Sequence, residues 1–132
     1  MVWFFFPSFF SQDRTVKFDK AMIATGASPM VPPIPGLTET PHLTNANFWN
    51  LENDQPKSMI VIGAGPIGME LSQAMARLGT KVTVLEMCHQ FLPREDPDAA
   101  KLVGESLERD GIEMILEVKF VKVEVRHMTH PT

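Results

Sequence analysis

The feature that most constrains the fold of this chain is a glycine-rich turn between an apolar strand and a helix. The strand covers residues 59–62, and the turn runs from Gly63 to Gly68. A second apolar strand follows the helix and ends on the carboxylate Glu86. This order of elements is typical of a pocket that binds a dinucleotide.

Each glycine of this turn has a separate predicted role. Gly63 permits a tight turn, Gly65 lets the backbone approach a pyrophosphate, and Gly68 removes a side chain where helix and strand touch. The helix start offers unpaired N–H groups and a positive dipole end to the phosphates. Glu86 follows Gly63 at about the 20-residue distance typical of the residue that binds the ribose hydroxyls. The predicted pyrophosphate cradle consists of Gly63, Ala64, Gly65, Pro66, Ile67 and Gly68.

Glu86 also bears on the choice of cofactor. A carboxylate accepts hydrogen bonds from both ribose hydroxyls, whereas placing it against a 2′-phosphate costs on the order of a few kcal/mol. The sequence therefore favours NAD over NADP. The alternative is a strand–helix connection of another doubly wound domain, with Glu86 as a solvated strand end that selects nothing. That alternative accounts for Gly63 but leaves the spacing of Gly65 and Gly68 unexplained.

Length and composition exclude several classes of protein. The chain has 132 residues and a net charge of −4, which indicates one domain at most and no basic patch for nucleic acid. No apolar run is long enough to span a bilayer. The single Cys88 excludes an internal disulfide framework. The apolar head, residues 1–14, remains unplaced; it lacks the features of a signal or transit peptide, so a cytoplasmic location is expected.

Periodicity predicts short elements on both sides of the glycine turn. A first helix runs from Pro66 to Gly79, and Asp96-Pro97 begins a second helix that stops at Asp110-Gly111. The predicted strands are 15–18, a buried-type strand 21–24, 81–86, 112–116 and a half-exposed antiparallel strand 119–126. The prolines of 28–41 predict a stiff connector, and 47–51 a helical turn. The apolar positions at helical spacing are Ile67, Leu71, Met75 and Leu78 in the first helix and Ala99, Leu102, Val103 and Leu107 in the second.

Together these parts resemble a known family. The segment 18–29, the proline-rich crossing to Pro35-Gly36-Leu37 and the glycine fingerprint occur in the order and spacing found in the middle of the pyridine nucleotide–disulfide oxidoreductases. This is the flavoprotein family of dihydrolipoamide dehydrogenase, glutathione reductase and mercuric reductase, and the match covers about residues 15–125. The resemblance implies an α/β fold with a Rossmann-like parallel sheet, flanking helices and an incomplete antiparallel meander at the C-terminus.

The resemblance also implies a division of the chain and roles for further residues. Residues 15–36 are a remnant of an FAD-binding domain, and 37–132 form a truncated NAD(P)-binding domain. The remnant ends in the cofactor-binding motif Ala24-Thr25-Gly26 and the proline-rich crossing that follows it. Glu70 lies near the nicotinamide and flavin, although a carboxylate that simply favours the early turns of a helix is an equal alternative. In the intact enzyme, hydride passes between NADH and FAD.

Several parts of the family pattern are missing from this sequence. An intact member carries an earlier FAD fingerprint, a redox-active cysteine pair, and a C-terminal domain that holds a catalytic histidine and forms the homodimer. The chain therefore resembles an internal fragment or truncated gene product that is inactive alone and, with apolar faces left open, poorly soluble. The alternative is a non-catalytic dinucleotide-binding module or a degenerate gene product. We predict no catalytic residue and no metal; Cys88 and the pair His127 and His130 are taken as incidental.

Overall fold

The chain forms two separate sheets and two α-helices in the computed structural model, which describes residues 8–11, 14–50 and 55–125. In chain order the elements are β1 (Ser8–Ser11), β2 (Arg14–Lys17), a 3₁₀ turn (Phe48–Asn50), β3 (Ser58–Ile62), α1 (Pro66–Arg77), β4 (Lys81–Leu85), α2 (Pro97–Arg109) and β5 (Glu113–Ile115). β1 and β2 pair antiparallel, so Ser8–Ser11, part of the apolar head, lies beside β2.

The second sheet is parallel and has the strand order β3-β4-β5. Ile62 pairs with Leu85, and Leu85 pairs with Ile115, so the carboxyl ends of the three strands meet at one edge. α1 connects β3 to β4, and α2 connects β4 to β5. This arrangement confirms the predicted Rossmann-like α/β fold, and it brings the residues that follow β3 and β4 close together.

The core lies between this sheet and the helices. Val82 and Val84 of the central strand β4 are each only 1% exposed. α1 buries Met69, Ser72 and Met75. The apolar stripe predicted for α1 is therefore wrong at two of its four positions, because Ile67 and Leu78 are exposed while Leu71 is partly buried. Ser72 lies on the contact face between the buried Met69 and Met75, so the helix packs through these three residues and leaves Ile67 and Leu78 exposed.

The buried face of α2 also differs from the prediction. It consists of Ala100, Gly104 and Leu107, whereas the predicted Ala99, Leu102 and Val103 are exposed. A Cβ on Gly104 would lie 2.5 Å from the Cζ atom of Phe91. The ring of Phe91 therefore occupies the space over Gly104, and a side chain at this position would have to displace the ring.

The helix ends agree with the sequence. Gly79 has φ +99° and follows the end of α1; its N–H donates to the Ala76 carbonyl, and the N–H of Thr80 donates to the Met75 carbonyl. This is the Schellman arrangement, in which a glycine takes the left-handed conformation. At the start of α2, the Asp96 side chain accepts a hydrogen bond from the Asp98 N–H, which confirms the predicted N-cap.

Two predicted strands do not form. Residues 21–24 have no strand structure, and Met22 and Ile23 are exposed. Residues 119–125 are also outside any strand; instead the Val123 N–H donates to the Pro35 carbonyl over 2.8 Å. A strand needs a neighbouring strand that pairs with its N–H and C=O groups, and within the described residues neither segment has such a strand. The strand predicted at 15–18 is confirmed as β2, and the one at 112–116 as β5.

The predicted helical turn is confirmed where the structure describes it, and the predicted connector contains no helix or strand. Residues 28–34 belong to no helix or strand, a turn begins at Pro35, and Phe48–Asn50 forms the 3₁₀ turn. Gly36 takes φ +80° in the turn that begins at Pro35.

Some predictions fall on residues that the structure does not describe. These include residues 1–7 of the apolar head, together with Arg126, His127 and His130. In the part that is described, neither helix is long and apolar enough to cross a membrane.

Candidate functional site

The glycine turn joins β3 to α1 at the carboxyl edge of the parallel sheet. The Gly63 N–H donates to the Leu85 carbonyl over 2.9 Å, which extends the strand pairing by one residue. Gly63 then takes φ +97°, a backbone conformation that residues with a side chain rarely adopt. Gly65 is the N-cap residue of α1 and Pro66 the first helical residue. The chain thus reverses from strand to helix within four residues, as predicted for a nucleotide-binding turn.

Gly68 is the position where helix and strand touch. A Cβ there would lie 2.5 Å from the Gly63 carbonyl oxygen and 3.5 Å from the Cγ1 atom of Val61. The first distance is too short for any side chain, and its partner is backbone, which does not move easily. Gly68 therefore has the close-packing role that was predicted for it from the fingerprint.

Gly65 differs from Gly63 and Gly68, the other two glycines of this turn. Its φ of −76° and ψ of 173° are open to any residue. No atom lies within 4 Å of the position that a Cβ would occupy. Neither conformation nor packing within the described residues therefore calls for glycine here, and the space beside the start of α1 is open.

The first turn of α1 carries amide groups that no side chain caps. Pro66 at the first helical position has no N–H, so the donors nearest the open space are those of Ile67 and Gly68. The positive end of the helix dipole adds to their attraction for an anion. The turn can therefore bind a phosphate group through backbone atoms alone.

Glu86 is buried beside this turn, at the end of β4. Its side chain is 8% exposed. The Ala64 N–H donates to Oε2 over 2.7 Å, and the Cys88 N–H donates to Oε1 over 2.9 Å. Burial on its own raises the pKa of Glu86, but the hydrogen bonds from Ala64, Cys88 and Met87 outweigh it and lower the pKa below 4.5. The alternative of a solvated strand end is therefore wrong: Glu86 is a fixed and charged acceptor.

Cys88 lies next to Glu86 and is exposed. A hydrogen bond to the Glu86 carboxylate, with smaller contributions from desolvation and charge, raises the pKa of the Cys88 thiol above 9.0. The thiolate is the reactive and metal-binding form of cysteine, so its neighbour makes Cys88 a weak nucleophile.

The loop after β4 also contacts the glycine turn. This contact was not predicted from the sequence. The Leu92 N–H donates to the Ala64 carbonyl over 2.8 Å. Leu92 is 8% exposed and takes φ +49°, an unusual conformation for a leucine. Ala64, fully buried, is thus bound through its N–H by Glu86 and through its C=O by Leu92. A backbone contact between residues 28 positions apart leaves no local pattern that could have revealed it.

The remaining predicted site residues lie on the surface. Glu70 is exposed and lies just beyond the first turn of α1, which contains no acidic residue. Ala24, Thr25 and Gly26 are exposed, and Gly26 takes φ +78°. No hydrogen bond of the described residues joins them to the turn of Gly63–Gly68. Over the same residues, no group of histidine, cysteine and carboxylate side chains could hold a metal ion.

Comparison with known proteins gives consistent matches over most of the chain. The family profile of the pyridine nucleotide-disulphide oxidoreductases matches residues 8–130. Mercuric reductase from Shigella flexneri is 47% identical over 102 residues, which are 77% of this chain and 18% of the relative. The chain thus spans about a fifth of the length of that relative.

Solved structures of related enzymes have the same fold. The HOCl-induced flavoprotein disulfide reductase of Escherichia coli, in its Cu(II) complex, gives a TM-score of 0.72 at 34% identity, over 86% of this chain and 26% of that one. The water-forming NADH oxidase of Lactobacillus brevis, bound to NADH, gives a TM-score of 0.61 at 29% identity, over 79% of this chain and 24% of that one.

Proposed function

The chain belongs to the pyridine nucleotide-disulphide oxidoreductase family, and we propose that its residues 37–132 bind NAD(H) within an FAD-dependent enzyme of this family. Residues 15–36 would then be the end of the FAD-binding domain, with Ala24, Thr25 and Gly26 near the flavin cofactor. The reaction of the whole enzyme would be hydride transfer between NADH and flavin. The NADH-bound oxidase and the flavoprotein reductase among the structural relatives support both cofactors.

The observation that carries this proposal is the unfilled space at Gly65. Glycine loses more conformational freedom on folding than any other residue, and serine, asparagine or aspartate would cap the helix better. Neither the backbone angles nor the packing within the described residues requires glycine here. A ligand that approaches the backbone closely accounts for it. The uncapped amides of the first turn of α1 border the same space and favour an anionic group. Both features fit a pyrophosphate.

Glu86 is proposed as the residue that binds the adenosine ribose. The Oε2 atom accepts the Ala64 N–H and the Oε1 atom accepts the Cys88 N–H. A carboxylate has about four lone-pair sites, so ribose hydroxyls can bind beside these two amides by replacing the weaker hydrogen bond from the Cys88 thiol. Its lowered pKa keeps it charged at neutral pH. A 2′-phosphate at the same place would meet this charge at close range, which favours NAD over NADP.

Glu70 is proposed to face the nicotinamide. Its exposed position just past the first turn of α1 leaves its carboxylate accessible to a ligand that enters along the turn.

The alternative of a non-catalytic nucleotide-binding module is less well supported, because the family match extends over residues 8–130 and not over the glycine turn alone.

The test is calorimetric titration of the chain with NADH and with NADPH. We expect NADH to bind at least about tenfold more tightly than NADPH. Repulsion between the Glu86 carboxylate and the 2′-phosphate should cost on the order of a few kcal/mol. Glu105→Ala removes an exposed carboxylate on α2 and should leave both affinities unchanged. This variant controls for the effect of net charge on the preference for NADH. Equal or tighter binding of NADPH would contradict the role of Glu86. Absence of binding for both would contradict the proposed function itself.

A further inference from the structure

We infer that Glu86, besides binding the ribose, is the side chain that positions the glycine turn for the pyrophosphate. This inference rests on the proposed function and extends it: one carboxylate would support two parts of the dinucleotide site. Replacing Glu86 would then weaken the pyrophosphate contacts as well as the ribose contacts, and no single substitution at this position would convert NAD binding into NADP binding.

The sheet register places Glu86 directly beside the turn. Ile62 pairs with Leu85, so the next residues along the two strands, Gly63 and Glu86, are neighbours at the edge of the sheet. From there the Oε2 atom of Glu86 accepts the N–H of Ala64 over 2.7 Å. Ala64 stands between the two glycines that shape the turn. The carboxylate therefore contacts the peptide unit between Gly63 and Ala64, which directly precedes Gly65.

Glu86 is itself held in place without any ligand. The Cys88 N–H donates to its second oxygen, and the side chain is 8% exposed. A carboxylate fixed by two backbone amides does not swing between the turn and the ribose; it contacts the turn in the ligand-free chain. The ribose hydroxyls would add to these bonds and would not replace them.

Apart from the Gly63 N–H bond to the Leu85 carbonyl and the packing of Gly68 on the Gly63 carbonyl, few other contacts keep the shape of the turn. Nothing lies within 4 Å of a Cβ at Gly63 or Gly65, so neither residue is fixed by packing on its side-chain position. Ala64 has two hydrogen bonds that hold it from outside the turn, one from the backbone of Leu92 and one to the side chain of Glu86. Without Glu86 the buried Ala64 N–H loses its acceptor, and the turn would move to regain one.

The experiment compares two ligands, NADH and its 2′,3′-dideoxyadenosine analogue, which keeps the pyrophosphate but has no adenosine ribose hydroxyls. If Glu86 acted on the ribose alone, Glu86→Ala would leave the affinity of the analogue unchanged. We expect it to fall about tenfold, the effect of losing one charged hydrogen bond to a buried amide. Glu86→Gln should restore the analogue to within about threefold of the unsubstituted chain, because an amide oxygen can still accept the Ala64 N–H.

Glu86→Asp provides a second variant if Glu86→Ala does not fold. It keeps the charge but is one methylene shorter, so it does not reach Ala64, and the affinity of the analogue should again fall. Glu105→Ala serves as the control carboxylate. Unchanged affinity of the analogue in both Glu86→Ala and Glu86→Asp, with weakened NADH, would overturn the positioning role and leave the proposed function intact. If the unsubstituted chain binds neither ligand, both fail.

Discussion

Gly65 and Gly68 stand three positions apart in one turn, yet the fold requires glycine at only one of them. A Cβ at Gly68 would lie 2.5 Å from a backbone oxygen, whereas at Gly65 it would meet nothing within 4 Å. We expect Gly68→Ala to lower the free energy of unfolding by about 1–3 kcal/mol, as overpacking does. Gly65→Ala should change stability by less than about 1 kcal/mol, because alanine restricts the unfolded chain but is a poorer N-cap residue than glycine.

The same two variants separate stability from binding. Gly65→Ala should weaken NADH at least about tenfold, the effect of about 1.4 kcal/mol of lost contact, because its methyl group occupies the space proposed for the pyrophosphate. Urea unfolding and NADH titration, measured on both variants, check the pair. Gly65→Ala with full NADH affinity would mean that the space beside Gly65 is not where the dinucleotide binds.

Some features of the site could be predicted from the sequence, and others could not. Gly63, Gly68 and Glu86 could be selected as site candidates because the roles proposed for them depend on a fixed spacing within one strand–helix–strand unit. The amide partners of Glu86 and the backbone contact from Leu92 to Ala64 could not, since they depend on how a loop folds back over the turn. Backbone contacts of this kind place no requirement on residue type.

At the scale of elements, the sequence predicted where helices begin and end better than which face they bury. The ends are set by local chemistry, such as the aspartate cap and proline at the start of α2 and the glycine after α1. The buried faces are set by neighbours. α2 buries Ala100 and Gly104 and exposes Leu102 because the space over Gly104 is filled by Phe91, a loop residue distant in sequence.

The contact between Gly104 and Phe91 gives a test of this explanation. Two ring atoms of Phe91 would lie 2.5 and 2.7 Å from a Cβ at position 104. Gly104→Ala should therefore lower the free energy of unfolding by about 1–3 kcal/mol, although alanine is the better helix former. In a Phe91→Ala background the clash is gone, and the same change should stabilise the chain by about 1 kcal/mol, the helix propensity difference.

Urea unfolding of the four proteins in this cycle measures both effects. The control is Glu105→Ala, which lies next to Gly104 on the exposed side of the helix. If Gly104→Ala stabilised the chain equally in both backgrounds, the ring of Phe91 would not be what determines the buried face of α2.

The strands show the same division between local and distant causes. β3, β4 and β5 were predictable because they pair with one another. Residues 21–24 and 119–125 have suitable composition but no neighbouring strand within the described residues, so they form no regular secondary structure. A pattern of apolar residues indicates that a segment can form a strand, and a partner decides whether it does.

At the scale of the whole molecule, the parallel sheet is covered unequally on its two faces. Val82 and Val84 of the central strand are buried, whereas Ile60 is 67% exposed and Ile115 42% exposed. In the sheet register Ile60 pairs with Thr83, and Ile115 with Leu85, the residues that alternate with the buried valines. The exposed isoleucines therefore lie on the opposite face of the sheet. The poor solubility expected from the sequence remains a prediction, for which this face provides the physical reason.

The stability of the whole molecule should depend on pH through Glu86. Its pKa is lowered below 4.5 in the folded chain, because the amides of Ala64 and Cys88 bind the charged form. A group whose pKa falls on folding contributes stability that is complete above about pH 4.5 and is lost as the pH drops through the folded value. Glu86→Gln should thus be less stable than the unsubstituted chain by about 1 kcal/mol at pH 7, and the difference should shrink steadily below pH 4.5. Urea unfolding between pH 7 and 3 measures it, with Glu105→Gln as the control for a surface charge. A difference that stayed constant over this range would show that the two amide bonds do not distinguish the charged carboxylate from a neutral amide.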